Sequence, residues 1–147
     1  LPPGTGDAAL SLAQALPLSG AVIVTLPQLV SLEDAGRGLN MFRTLEVPIL
    51  GIIENMSYLE LPDGTRMDVF GSGGGERLAA ATEARFLGKV PMDPNVRIGG
   101  DSGKPIVVSH PESAPALALT EIAQKIAAQI SVAALSAKNE LPINIVE

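Results

Sequence analysis

Apolar residues in this chain gather in two unbroken runs, and between and beyond those runs they recur at helical spacing. Gly20-Ala21-Val22-Ile23-Val24-Thr25-Leu26, stopped by Pro27, and the run from Val47 to Ile53 are too continuous to alternate between core and solvent. Each predicts a strand buried on both faces. Between them, Leu32, Ala35, Leu39, Phe42 and Leu45 are spaced to face a core, with Ser31 as N-cap and Asp34 in capping-box position. Strand, helix and strand over residues 20–53 predict a βαβ unit with a right-handed crossover and a parallel sheet.

Weaker patterns flank this unit. Leu10 to Leu16 and Glu76 to Ala84 predict short helices, Phe86 to Val90 a short strand, and Pro94 to Ile98 a helical turn with Asp93 as cap and Pro94 in its first position. Ile106-Val107-Val108 predicts another short strand. Pro115 to Leu135 predicts an amphipathic helix burying Leu119, Ile122, Ile126 and Ile130. Residues 57–73 have no period, and Pro62-Asp63-Gly64-Thr65 predicts a hairpin or loop turn; the tail Leu141 to Glu147 reads as an edge strand or as disorder. The alternation predicts an α/β domain with a doubly wound, mostly parallel sheet, in which ligands sit at the carboxyl ends of strands. The loops after Val24, Ile53 and Val90 are therefore the ones to search.

Composition narrows the function. The chain of 147 residues is 46% apolar, enough for one globular domain. Ten basic against sixteen acidic residues give a net charge of −6, and the basic residues are scattered, which argues against a nucleic-acid partner. No apolar run approaches the roughly 20 residues that cross a bilayer, and no signal peptide is seen, so no membrane partner is expected. The chain contains no cysteine, which excludes disulfides and thiolate ligands to zinc or iron from its own residues. A cytoplasmic setting fits that usage. Because residue 1 is Leu and the first residues already look like the end of a strand, the chain reads as a piece of a longer protein.

The candidate chemistry starts at the first residues. In Leu1-Pro2-Pro3-Gly4-Thr5-Gly6-Asp7 the prolines stiffen the turn, while Gly4 and Gly6 permit close backbone approach to a ligand. A turn of this kind running into a helix capped by Asp7 places N–H groups against a phosphate. Asn55, after the second buried strand, carries an amide whose donor and acceptor match the edge of adenine, or it simply forms a turn. Val90-Pro91-Met92-Asp93-Pro94 also closes a strand and offers backbone contacts to a base, or caps a helix. Gly71-Ser72-Gly73-Gly74-Gly75-Glu76 and Gly99-Gly100-Asp101-Ser102-Gly103-Lys104-Pro105 fail the spacing of phosphate loops. The first reads as a helix entry, and Lys104 in the second as a contact to a partner or another subunit. Lone His110 has no second histidine beside it, and no metal site is expected.

LPPGTGD, GAVIVT, the span from GLNMFR to VPILGIIENMSY, FGSGGGERLA, FLGKVPMDP and IGGDSGKP, in that order over residues 1 to about 111, together resemble the Mrp-type iron–sulfur cluster carrier ATPases, also called ApbC or Nbp35-like. These are deviant Walker A P-loop ATPases, grouped with MinD and the nitrogenase iron protein, that typically work as nucleotide-sandwiching dimers. The resemblance implies that Pro3, Gly4, Thr5 and Gly6 form the switch II turn sensing the γ-phosphate. It implies that Asn55 reads adenine and that Pro91, Met92 and Asp93 lie against base and ribose.

Two departures accompany the resemblance. The family's lysine-rich phosphate loop, switch I and Mg²⁺-associated Asp would precede Leu1, so residues 1–147 are expected to be the C-terminal part of one P-loop ATPase domain, with 136–147 as a mobile tail. This part alone is not expected to hydrolyse ATP. Many members also hold a bridging cluster through a Cys-x-x-Cys pair soon after ENMSY, where Leu59 to Thr65 stand here, so cluster binding by those ligands is excluded. Glu60, Asp63 and Asp68 could hold a hard cation or form a solvated turn. The resemblance thus implies an ATP- and Mg²⁺-dependent iron–sulfur carrier, a homodimer with acceptor proteins as partners; the alternative is a non-catalytic scaffold without a cluster. A MinD-like membrane role is disfavoured, because Ser136 to Glu147 lacks a basic amphipathic helix.

Overall fold

The structure, a computed structural model, describes residues 7–138. The elements follow in the order α1 (Asp7–Ala15), β1 (Ala21–Thr25), α2 (Leu29–Thr44), β2 (Ile49–Glu60), β3 (Arg66–Met67), α3 (Gly74–Ala81), β4 (Phe86–Met92), α4 (Pro94–Ser102), α5 (Ile106–Ser109) and α6 (Ala114–Lys138). Strand β2 is the centre of the sheet. It runs parallel to β1 on one side, with Val24 opposite Ile53 and Thr25 opposite Glu54. It also runs parallel to β4, with Glu54 opposite Lys89 and Asn55 opposite Val90. The two-residue β3 folds back antiparallel onto the far end of β2, so the segment 57–73 contains the hairpin its turn signal predicts.

Helices cover both faces, as the doubly wound reading predicts, but β1 is not buried on both: Ala21, Ile23 and Thr25 are buried while Val24 is exposed. On one face Ile23 and Ile52 pack with Ala35 and Leu39 of α2 and Ala79 of α3, bordered by Phe42, Leu78 and Phe86. On the other, Ile53, Leu87 and Val90 pack against Ile122 of α6, bordered by Val22, Leu119 and Ile126. Neighbouring residues of β2 therefore serve opposite cores, which explains why its first half is a continuous apolar run. The α6 stripe ends earlier than its spacing predicts: Ile130 is more than a third exposed.

Other expectations need correction. Helix α2 starts two residues before Ser31, at Leu29; its N-cap is Gln28, which makes no side-chain cap, and Ser31 instead stands within hydrogen-bond reach of the Gln28 amide at 3.2 Å. Ile106-Val107-Val108 is helical rather than extended. Pro105 precedes it, Ser109 N–H bonds back to the Pro105 carbonyl, and among the described residues no strand pairs with it to reward its β-branched side chains. Strand β2 runs on through Glu60, well past Ile53. Residues 139–147, and with them the Leu141 to Glu147 tail, lie outside the described residues.

Candidate functional site

The carboxyl ends of β1, β2 and β4 meet at one edge of the sheet, and three local devices shape it. At β2 the ladder with β4 breaks between Asn55 and Leu59, and Met56 takes a left-handed backbone at φ 51°. Such a conformation costs a non-glycine residue about 1 kcal/mol or more and persists where the surroundings fix it. Just beyond the kink, the buried Ser57 hydroxyl donates to the Val90 carbonyl at 3.2 Å, tying the end of β2 to β4. Asn55 is thus half-buried next to Val90, and Pro91 follows directly on the neighbouring strand.

The second device is the cap of α4. Asp93 Oδ1 accepts from the Asn95 N–H at 2.8 Å and Pro94 opens the helix, as expected. The carboxylate is therefore engaged by its own helix. At the other end, Gly103 adopts φ 71° and Lys104 N–H returns to the Gly99 carbonyl, so the Gly99 to Lys104 segment is a helix terminus and not a phosphate loop.

The third device is the glycine run before α3. Gly73 is left-handed at φ 69°, Gly74 packs so close to the Pro27 carbonyl that any Cβ would collide with it, and a Cβ on Gly75 would come within 2.9 Å of Glu54 Cβ. The run is a close-packing device that brings the first turn of α3 over the end of β1 and the middle of β2. Glu54 is fully buried beneath it, and its Oε2 accepts from the Gly75 N–H at 2.7 Å. Composition and motif reading pass over Glu54. The signal is its place: an acid continuing an apolar strand, two residues from Ile52 and so on the same face.

A cavity of about 600 Å³ runs along β1, bordered by Ala9 and Leu12 of α1, by Thr25 and Leu26, by Ser31 and Asp34 of α2, and by Asn55. Its size suits a small ligand. Pro91, Met92 and Asp93 do not border it; they follow Val90, the partner of Asn55, and Met92 itself pairs with Leu59. Pro3, Gly4, Thr5 and Gly6 lie outside the described residues. Among the described residues no three His, Asp or Glu side chains stand close enough to share a metal ion. Glu60 pairs with Arg66 at 3.8 Å, and Arg66 also lies 4.4 Å from the Tyr58 ring centroid. Asp63 Oδ1 accepts from the Thr65 N–H at 2.9 Å, and this bond, followed by that to the Thr65 side chain, holds the Asp63 carboxyl below its ordinary pKa. The hairpin tip is thus a closed turn. His110 Nδ1 is 3.1 Å from the Ser109 hydroxyl in an exposed connection.

The mostly parallel sheet with helices on both faces and its loops at the strand ends define a doubly wound α/β domain. Residues 1–127 match the ParA family, described as NUBPL iron-transfer P-loop NTPase, and the chain belongs to it. It is 57% identical over 138 residues to the iron–sulfur cluster carrier protein of Synechocystis, covering 92% of this chain and 39% of that one. It is 47% identical over 133 residues to the iron–sulfur cluster transfer protein NUBPL of Dictyostelium discoideum, covering 90% of this chain and 41% of that one. Among solved structures it is similar to a nucleotide-binding protein of Archaeoglobus fulgidus in complex with ADP, with a TM-score of 0.64 and 35% identity over 78% of this chain and 46% of that one. The chain spans about two fifths of the length of the curated relatives it matches. No helix among the described residues is long and apolar enough to cross a membrane.

Proposed function

We propose that the full-length protein is an ATP-dependent carrier of iron–sulfur clusters and that residues 1–147 form the adenine side of its nucleotide site. The observation that supports this reading is the pairing of Asn55 with Val90, the residue that leads into Pro91, Met92 and Asp93, where Asn55 borders a ligand-sized cavity. The Asn55 amide can both donate to and accept from the edge of an adenine, while Pro91 and Met92 supply apolar contact. Asp93, occupied by its cap, contributes through its backbone. The turn at Pro3, Gly4, Thr5 and Gly6 supplies amides to the phosphates in this reading, and its movement on loss of the γ-phosphate resets a homodimer.

Among the described residues no three acidic or histidine side chains are gathered into a metal cage, and in this reading magnesium is held mainly by the nucleotide phosphates and by residues outside this chain. The cluster is cargo. With no cysteine in the chain, its thiolate ligands come from outside residues 1–147. A cytoplasmic location and apo-acceptor proteins as partners complete the proposal.

Replacing Asn55 by Ala in the full-length protein is expected to weaken ATP about tenfold, the worth of roughly one well-made polar contact, with pyrophosphate little changed. Calorimetric titration reads both, and equal losses would remove Asn55 from base recognition. The missing cysteines favour one other reading, a nucleotide-binding scaffold without cluster chemistry. Reconstitution with iron and sulfide separates the two: cluster absorption followed by transfer to an apo-acceptor supports the carrier, and neither supports the scaffold.

A further inference from the structure

We propose that Glu54 is a positioning residue of this site: its buried carboxylate fixes the first turn of α3 to the middle of β2 and thereby holds Asn55 in place to meet a base. The proposal rests on the nucleotide reading above. Glu54 is fully buried, yet of its two carboxylate oxygens only Oε2 has a donor, the Gly75 N–H, and Oε1 has none among the described residues. Leaving such an oxygen unpaired costs folding free energy, and an apolar side chain of the same volume would avoid that cost. What the carboxylate gains is the start of a helix, where the peptide dipoles favour an anion.

The neighbouring groups are already committed. Thr25, opposite Glu54 on β1, donates its hydroxyl to the Leu26 carbonyl at 3.0 Å. Lys89, opposite it on β4, pairs with Glu76 of the first turn of α3 at 3.2 Å. That turn therefore touches the chain leaving β1 through Gly74 and Pro27, the middle of β2 through Gly75 and Glu54, and β4 through Glu76 and Lys89. Asn55 and the left-handed Met56 lie between two anchors, Glu54 bound to α3 on one side and Ser57 bound to β4 on the other. A strained backbone is kept in one place by such flanking ties. Backbone pairing with β1 and β4 holds Glu54 and Asn55 as well, so releasing the Glu54 side-chain anchor loosens, without unpairing, the segment that carries Asn55.

The test uses full-length protein titrated with ATP and, separately, with inorganic pyrophosphate. Glu54→Leu is expected to lose ATP affinity about tenfold with pyrophosphate changed less than about twofold, whereas Glu54→Gln, whose amide oxygen still accepts from Gly75, stays within about threefold of the parent. Gly75→Ala attacks the same contact from the helix side, with its Cβ 2.9 Å from Glu54 Cβ, and is expected to reproduce the selective loss. It carries the test if circular dichroism shows Glu54→Leu unfolded. Equal losses for both ligands, unchanged ATP binding, or a Gln variant as poor as Leu would overturn the proposal. Asn55→Ala is run beside them: if it lowers the ATP-to-pyrophosphate ratio and the Glu54 and Gly75 variants do not, only the positioning role fails. If Asn55→Ala leaves that ratio unchanged, the base-reading assignment itself fails and the proposal with it.

Discussion

Gly74 and Gly100 are both helical glycines, and they show how one residue type carries unrelated demands. At Gly74 an added methyl meets the Pro27 carbonyl, a backbone atom that cannot swing aside; at Gly100 nothing lies within 4 Å. Gly74→Ala is therefore expected to destabilise the protein by about 1–3 kcal/mol through overpacking. Gly100→Ala is expected to be neutral or to stabilise by up to about 1 kcal/mol through the entropy of the unfolded chain. Urea denaturation of both variants checks the contrast, and a Gly74→Ala as stable as the parent would show that α3 can lift away from the loop after β1. The sequence displays the glycines of residues 71–75 but not this difference, because the colliding atom belongs to a residue far away in the chain. For the same reason Asn55 could be marked from its place after an apolar strand, whereas the use of Glu54 depends on Gly75, twenty-one positions on.

Among the elements, the start of α4 was the most legible, since Asp93 and Pro94 are local signals, whereas its end was read at Ile98 and the helix runs on to Ser102 with Gly103 as its stop. Asp93→Ala is expected to cost about 1 kcal/mol of stability and Asp93→Asn much less, because asparagine caps equally well. Thermal unfolding measures the cost. If instead both variants lose ATP affinity with stability intact, the Asp93 carboxylate acts on the ligand and not on the helix. Helix α5 was illegible on the same local criteria. Ile106, Val107 and Val108 favour extended backbone on propensity, yet Ile106 is buried while Val107 and Val108 are exposed, and the segment packs against α4 and α6 as a single helical turn. Strand β2 was read short because Glu54 and Asn55 look like the end of a buried strand. Pairing with β4 at Leu59 and with β3 at Leu59 and Glu60 carried the strand onward.

At the scale of the molecule, the βαβ pattern sufficed to foresee a parallel sheet with helices on both faces, since that architecture follows from the periods of its elements. It could not foresee the asymmetry of the sheet. Among the described residues β1 pairs on one side alone, and Val24 on this strand is 57% exposed. An unpaired apolar edge is a template for another strand. The 147-residue chain prepared by itself is expected to associate as its concentration rises, and Val24→Lys to shift it toward monomer. Sedimentation velocity would show this, and a strictly monomeric parent would mean that the edge is shielded in solution.

Helix α3 spans only Gly74–Ala81, and something grips it at each extremity. Glu54 takes its leading amide, while the Arg43 guanidinium of α2 donates to the Thr82 carbonyl just past its last turn. A rod so short, held at both tips and packed on the sheet through Gly74, Gly75 and Ala79, has little slack to bend. A push on the glycine run that leads into it would reach Thr82 as a tilt of the whole rod.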